Sequence, residues 1–210
     1  MRAGALAPYE QALRTSAPLG LRTTTGQVIT LDIARWLAGA DHADATVLDR
    51  CVGPVLDIGC GPGRFVSSLA DRGVAALGVD IAESAVALTR RQGLPALLRD
   101  VFRALPGEGR WPTVLLMDGN VGIGGDPLRL LRRVRALLGP GGRLLVETHP
   151  DHAAHDVLGV RFWSGGVAVG PVFEWAHVGR AALAEYAAQA GYLLDSVWSS
   201  AGRPFAALAA

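Results

Sequence analysis

Between residues 54 and 148, short apolar runs alternate with helical patterns, and this alternation limits the possible folds more than any other feature of the chain. Residues 54–58, 75–79, 96–99, 113–117 and 143–147 read as strands of near-continuous apolar character. Such strands are buried on both faces, as in parallel sheets covered by helices. Residues 63–70 and 84–92 read as helices stopped by Gly73 and Gly93. Asp126-Pro127 opens the clearest helix, with Asp as its cap, Pro in its first turn, and Leu128, Leu131, Val134 and Leu138 as its apolar stripe. Gly139-Pro140-Gly141-Gly142 is expected to end that helix before the next strand. The pattern predicts an α/β domain with a doubly wound, mostly parallel sheet.

The flanks read differently. Residues 181–190 form a helical pattern, and 193–199 with 205–209 read as a hairpin around Gly202-Arg203-Pro204, which adds an antiparallel edge. Residues 150–179 read as a strand-rich insertion carrying Phe162, Trp163, Phe173, Trp175 and His177. Residues 1–48 hold an alternating stretch at 27–33 and a helical piece at 34–37. The expected organisation is a small N-terminal cap segment over 1–48 and a main domain over 49–210 with a cap insertion at about 150–179.

Composition narrows the class. A chain of 210 residues, 50% hydrophobic and 19% charged, can bury one well-developed core. The net charge of +1 gives no overall pull toward nucleic acid or an anionic membrane. All 20 basic residues are Arg, so Arg also fills the surface role of Lys, and Arg clusters carry little functional weight. Cys51 and Cys60 build neither a disulfide framework nor a structural zinc site. Polar residues interrupt the N-terminus where a signal peptide would be apolar, and no run is long enough to span a bilayer. A cytoplasmic monomer or homodimer is expected, without nucleic-acid or membrane partners.

The chemistry begins at Val55-Leu56-Asp57-Ile58-Gly59-Cys60-Gly61-Pro62-Gly63, a strand running into a glycine-rich turn at a helix start. In doubly wound sheets such turns let a ligand approach the backbone at the carboxyl ends of the strands. The dinucleotide fingerprint needs a glycine where Arg64 stands, and the phosphate-loop pattern needs a lysine that is absent. Asp80 ends the second strand, where its carboxylate can accept from both hydroxyls of a ribose, with Ile81 able to lie against a base. Asp100 ends the third strand, within reach of an exocyclic amine. Acids around one glycine turn suit a nucleoside that carries a cation and no phosphates.

These stretches, with Gly78-Val79-Asp80, Arg99-Asp100-Val101 and Leu138-Gly139-Pro140-Gly141-Gly142-Arg143-Leu144, resemble the cofactor half of the class I S-adenosylmethionine-dependent methyltransferases. The resemblance is strong over residues 47–148. It implies a Rossmann-like, seven-stranded sheet with an antiparallel last strand, and S-adenosyl-L-methionine as cofactor, released as S-adenosyl-L-homocysteine. It implies that Asp57, Gly59, Cys60, Gly61 and Gly63 line the methionine and ribose portion, that Asp80 with Ile81 holds the nucleoside, and that Asp100 with Val101 borders adenine.

The acceptor side is read from single residues. Asp118-Gly119-Asn120 follows the fourth strand and lacks the motif of enzymes that methylate amino groups of bases. Asp118 is expected at the cofactor amino group, and Asn120 either orients an acceptor or holds the turn. His149-Pro150-Asp151-His152-Ala153-Ala154-His155 reads as a polar loop rather than a metal site. His149, at the strand end, is the candidate general base toward a hydroxyl, with His177 as its rival. Trp163, Phe173 and Trp175 either wall an acceptor pocket or pack the insertion, and Tyr9 reads more as an anchor than as a cover over the cofactor. The expected function is methyl transfer to a small-molecule acceptor with an oxygen or nitrogen nucleophile, as in secondary metabolism. The alternatives are the same fold using the sulfonium for decarboxylation, cyclisation or rearrangement, and a non-catalytic cofactor-binding module.

Overall fold

A computed structural model describes residues 5–210, so residues 1–4 of the expected cap segment lie outside the described residues. The chain opens with α1 (Ala7–Thr15), β1 (Leu19–Thr23), β2 (Val28–Leu31), α2 (Ile33–Leu37) and α3 (His42–Leu48). There follow β3 (Val55–Ile58), α4 (Arg64–Asp71), β4 (Ala76–Asp80), α5 (Glu83–Arg91), β5 (Ala96–Leu98) and β6 (Trp111–Leu116). After a short 3-10 turn at Asn120–Gly122 come α6 (Pro127–Leu137), β7 (Leu138–Glu147), β8 (His155–Ser164) and β9 (Val167–Val178). The chain ends with α7 (Arg180–Gln189), β10 (Leu193–Ser200) and β11 (Arg203–Ala209).

The main sheet has seven strands in the order β10-β11-β7-β6-β3-β4-β5. β3, β4, β5, β6 and β7 pair in parallel, and β11 runs antiparallel to both β7 and β10. The hairpin therefore inserts its second strand inside the sheet and leaves its first at the edge. Residues 139–142 do not form a separate turn, because β7 already begins at Leu138.

Strand alternation sorts the core into two faces. Val114, Leu116, Leu144 and Val146 pack with α6 and α7, while Leu115, Met117 and Leu145 pack with α3 and α4. α3 thus joins the layer on the main sheet, although it lies within the expected cap segment. On α6 the buried stripe is Leu130, Leu131, Val134 and Leu137, with Leu128 only partly covered. That stripe follows the helical period from Pro127, and full burial of each such side chain contributes about 1.5–3 kcal/mol.

The second sheet is antiparallel, in the order β2-β1-β8-β9. It joins two segments far apart in the chain, through pairs such as Leu21 with Phe162 and Gly20 with Trp163. Its inner face packs Leu21, Val160 and Phe162 with Leu13 of α1, Ile33 of α2 and Ala85 of α5. A small N-terminal and inserted strand-rich cap therefore sits on a Rossmann-like sheet.

Candidate active site

The first strand end is shaped by a glycine. Gly59 has φ 71°, a left-handed conformation that L side chains rarely adopt, and a Cβ there would run into the Asn120 amide. Asn120 Nδ2 occupies that space and donates to the carbonyls of Ile58 and Gly59, each at 3.0 Å. Its amide nitrogen thus fastens the 3-10 turn after β6 to the glycine turn after β3. Cys60 is buried with Sγ packed against Gly78, where a Cβ would approach to 2.6 Å.

Asp80, at the end of β4, is fixed from both sides. Its Oδ2 accepts from the Gly61 N–H at 2.9 Å, and its Oδ1 from the Ala82 N–H at 2.8 Å. Burial pushes its pKa up, and the N–H donors of Ala82 and Gly61 oppose that shift. Asp100 Oδ1 accepts from the Phe102 N–H at 2.9 Å. Ile81 is 41% exposed, and with Asp100, Val101 and Phe102 it borders one end of a shared cavity.

The other end is a network of buried charge. α3 starts with a capping box in which Asp41 and Asp44 accept from each other's backbone N–H. That box holds Asp44, fully buried, against Arg64 and against Arg203 at 2.8 Å. Arg64 also reaches Asp118 at 2.7 Å, and Arg35 reaches the same carboxylate at 2.8 Å. Glu147 accepts from Arg203 and from the Asp118 N–H. Burial lowers the Arg64 pKa, with Asp118 opposing the shift. Burial also works against the charge of Arg203, yet Glu147, Asp118 and Asp41 raise its pKa. The Asp118 side chain is therefore committed to arginines.

Four buried polar atoms in this region have neither a hydrogen-bond nor an ion-pair partner among the described residues: Arg35 Nη1, Trp36 Nε1, Asp57 Oδ2 and Thr148 Oγ1. Asp57 is 2% exposed, and burial, with the charges of Asp118 and Asp80, pushes its pKa up to about 8. Tyr9 stands over the turn: a Cβ on Gly61 would lie 3.3 Å from its hydroxyl, and its ring meets Trp36 edge-on at 6.1 Å. Burial raises its pKa, helped by Asp80, Cys60 and Asp118. Nothing in the sequence singled out Arg35 or Trp36, and Tyr9 read there as an anchor.

The glycine turn, Asp57, Asp80, Asp100, Asp118, Arg35, Arg64, Tyr9 and Trp36 open into one cavity of about 1210 Å³, while Asp44 and Arg203 stay behind its wall. It continues from the glycine turn to Leu21, Ile29, Phe162, Phe173 and Trp175 of the cap. Trp163 points the other way, beneath the Arg22 guanidinium at 5.0 Å, because neighbours on a strand face opposite sides. His149 and His177 also line the cavity, their rings stacked with centroids 4.6 Å apart. His155 instead pairs with Tyr186 at 2.7 Å. Among the described residues no group of three or more His, Cys, Asp or Glu is gathered to hold a metal ion. On α6, Arg133 reaches the carbonyls of Val101 and Arg103 and pairs with Glu108 at 2.6 Å.

A Rossmann-like sheet with a glycine turn, acids ending adjacent strands and a capping sheet defines a methyltransferase architecture. A family model for the methyltransferase domain matches residues 44–197, and the chain belongs to that family. A ubiquinone biosynthesis O-methyltransferase of Bordetella avium is 32% identical over 118 residues, covering 51% of this chain and 48% of that protein. One from Acinetobacter baumannii is 29% identical over 119 residues, 51% of this chain and 50% of its own. The chain spans about half the length of these curated relatives. Among solved structures, a SAM-dependent methyltransferase from Bacteroides fragilis in complex with S-adenosyl-L-homocysteine superposes with a TM-score of 0.79 at 19% identity, covering 96% of this chain and 92% of that one. A Burkholderia thailandensis 1,6-didemethyltoxoflavin-N1-methyltransferase has a TM-score of 0.56 at 20% identity, covering 74% and 69%.

Proposed function

We propose that the protein transfers the methyl group of S-adenosylmethionine to a small-molecule acceptor bound under the cap. One observation carries this reading: a single cavity joins the glycine turn and strand-end acids to an aromatic cap wall. Its volume, about 1210 Å³, exceeds the roughly 300–1,000 Å³ of a site for one small ligand, which leaves room for a second molecule. Of the unpartnered atoms, a guanidinium nitrogen of Arg35 and a carboxylate oxygen of Asp57 match the carboxylate and ammonium of an amino-acid end. The relatives' names, O-methyltransferases of ubiquinone biosynthesis and an N-methyltransferase of a toxoflavin precursor, support a small acceptor.

S-adenosylmethionine supplies a methyl group already activated on a sulfonium, and leaves as S-adenosylhomocysteine. The protein's work is therefore mainly to hold, align and exclude water. Asp80 holds the ribose hydroxyls; Asp100 and Val101, with Ile81, border the adenine. Gly59, Cys60 and Gly61 bring backbone against the ligand, Gly63 instead making room for Thr89 of α5, while Asp57 and Arg35 hold the amino-acid end. Asp118 acts by orienting Arg35 and Arg64, and Tyr9 closes over the turn. Asn120 keeps the acceptor wall in register with the glycine turn, and the His149–His177 pair handles the proton of an oxygen acceptor. The acceptor is a free metabolite rather than nucleic acid: Arg64, Arg133 and Arg203 are spent on internal partners, and the net charge is only +1. The two cysteines are unpaired, which suits a cytoplasmic setting for a monomer or homodimer.

Incubation with S-adenosylmethionine and a panel of phenols, catechols and heteroaromatic amines tests the reading by mass spectrometry. An acceptor gaining one methylene equivalent, with S-adenosylhomocysteine released, is the expected outcome. Consumption of an acceptor without that mass gain would reassign the site to rearrangement or decarboxylation.

A further inference from the structure

We propose that the two stacked histidines divide the acceptor's chemistry, His177 taking the hydroxyl proton and His149 only donating a hydrogen bond. The inference rests on the oxygen-acceptor reading above and adds which imidazole is the base.

The geometry decides between them. The backbone N–H of Asp151 donates to Nδ1 of His149 at 3.1 Å. A nitrogen that accepts a hydrogen bond carries no proton, so the neutral His149 ring bears its proton on Nε2. To act as a base it would have to bind a second proton at Nδ1, against an N–H already pointing there. What His149 offers the cavity is a donor. The pinning is built into the chain, since the N–H of His149 itself donates to the Val178 carbonyl at 2.8 Å.

His177 is placed differently. Among the described residues no protein group hydrogen-bonds either of its ring nitrogens, and it lines the same cavity. Asp156 is its cross-strand partner on β8, and His149 stacks on its ring. These are the charged and titratable groups that act on it; burial first and then His149 lower its pKa, and Asp156 opposes them. The ring is therefore neutral at neutral pH, with an open lone pair. At a ring separation of 4.6 Å a charge on one imidazole disfavours a charge on the other.

A chain of contacts ties the strand that carries His177 to the loop held on the glycine turn. Asn120 bonds the Gly59 carbonyl, and Gly122 abuts the Ala176 carbonyl so closely that no Cβ would fit. Ile123 bridges Trp175, so the residues flanking His177 are tied to the loop that faces the cofactor half. The step balances: the acceptor O–H bond breaks, its proton goes to a His177 ring nitrogen, and the oxygen forms the new bond to the methyl carbon. The carbon–sulfur bond breaks with its electron pair on sulfur, and His177 later returns the proton to solvent. His149 Nε2–H binds a second oxygen of the acceptor. The acceptor class is an apolar molecule with an ionisable hydroxyl beside another hydrogen-bond acceptor.

The test uses the full chain with S-adenosylhomocysteine bound. Long-range proton–nitrogen spectra of protein labelled at histidine read each tautomer, with H149Q and H177Q assigning the signals. His149 protonated on Nε2 alone and His177 neutral at neutral pH are expected; His149 protonated on Nδ1, or His177 charged, overturns the proposal. With catechol as acceptor probe, whose hydroxyls stay protonated at neutral pH, H177Q should lower kcat by about 100-fold or more and flatten the acid limb of the pH profile. H149Q should raise KM and keep that limb, and both variants should bind S-adenosylhomocysteine as the wild type does in calorimetry. The reverse kinetic pattern overturns the proposal. Failure of the wild-type chain to methylate this probe or any other hydroxyl counts instead against the oxygen-acceptor reading, and the spectra still decide the tautomers.

Discussion

The two halves of the cavity are built by opposite means. The cofactor half comes from consecutive chain: β3, its glycine turn and α4, then β4 ending in Asp80, with Asp80 and Asp100 fixed by backbone N–H groups a few residues away or on the next strand. The acceptor half is assembled from segments far apart, β1 and β2 against β8 and β9, and its inner wall is mostly apolar. Local hydrogen bonds specify a ligand tightly, while a packed apolar wall specifies shape and can be changed without disturbing the rest. One architecture can therefore keep its cofactor and vary its acceptor.

The sharpest way to break this contrast is to attack the charge network that joins the halves. Arg64→Met strips fully buried Asp44 of one cation and leaves Asp118 to Arg35 and, at 3.6 Å, Arg203. Removing one partner of a buried pair costs about 3–5 kcal/mol. Arg203 still faces Asp44, so the lower end of that range is expected in a denaturant titration. Unchanged stability would mean that the network is dispensable.

Asp80→Ala comes next. It removes the proposed ribose ligand and the acceptor of two backbone N–H groups, and charged hydrogen bonds are worth about 1.5–3 kcal/mol. Calorimetry should show affinity for S-adenosylhomocysteine falling at least about tenfold. Phe162→Ala, in the cap wall, should in contrast raise the acceptor KM and leave that affinity alone. Loss of cofactor affinity in Phe162→Ala would dissolve the distinction between the halves.

A smaller effect concerns pH. Asp57 carries a pKa of about 8 in the folded chain, above its ordinary 3.8. A raised pKa favours the fold while the proton stays on, so this contribution is complete below the unfolded value and lost as pH rises through about 8. The melting temperature of the ligand-free protein should therefore slope downward from mildly acid to mildly alkaline pH, and Asp57→Asn should flatten the slope. A cation docked against the carboxylate favours its ionised form, so affinity for S-adenosylmethionine should rise over the same window with proton release. A pH-independent affinity would remove Asp57 from the ammonium site.

The same contrast explains what the sequence disclosed. The strand–turn–helix at 55–63, Asp80 and Asp100 were legible because each signal lies within a few residues and has a local cause. The count of seven strands with a reversed last strand came from the family resemblance, and only the closing hairpin was legible from its own turn residues. β1 and α1 were not, since Leu19–Thr23 becomes a strand only by pairing with β8 more than a hundred residues later. Arg35 could not be separated from the other arginines in a chain without lysine; its meaning comes from Asp118, an ion-pair partner from another element. Trp163 and Phe162 were indistinguishable as aromatics until pairing with β1 fixed which faces inward. The base could not be chosen from His149 and His177 because the deciding fact is a hydrogen bond from Asp151 to a ring nitrogen.

The most direct measurement is a crystal structure of the chain soaked with S-adenosylhomocysteine. The account expects the ribose on Asp80, adenine beside Asp100 and Val101, and the amino-acid end between Asp57 and Arg35. An empty crevice above Gly59–Gly63, or a ligand seated with its nucleoside elsewhere, would contradict it.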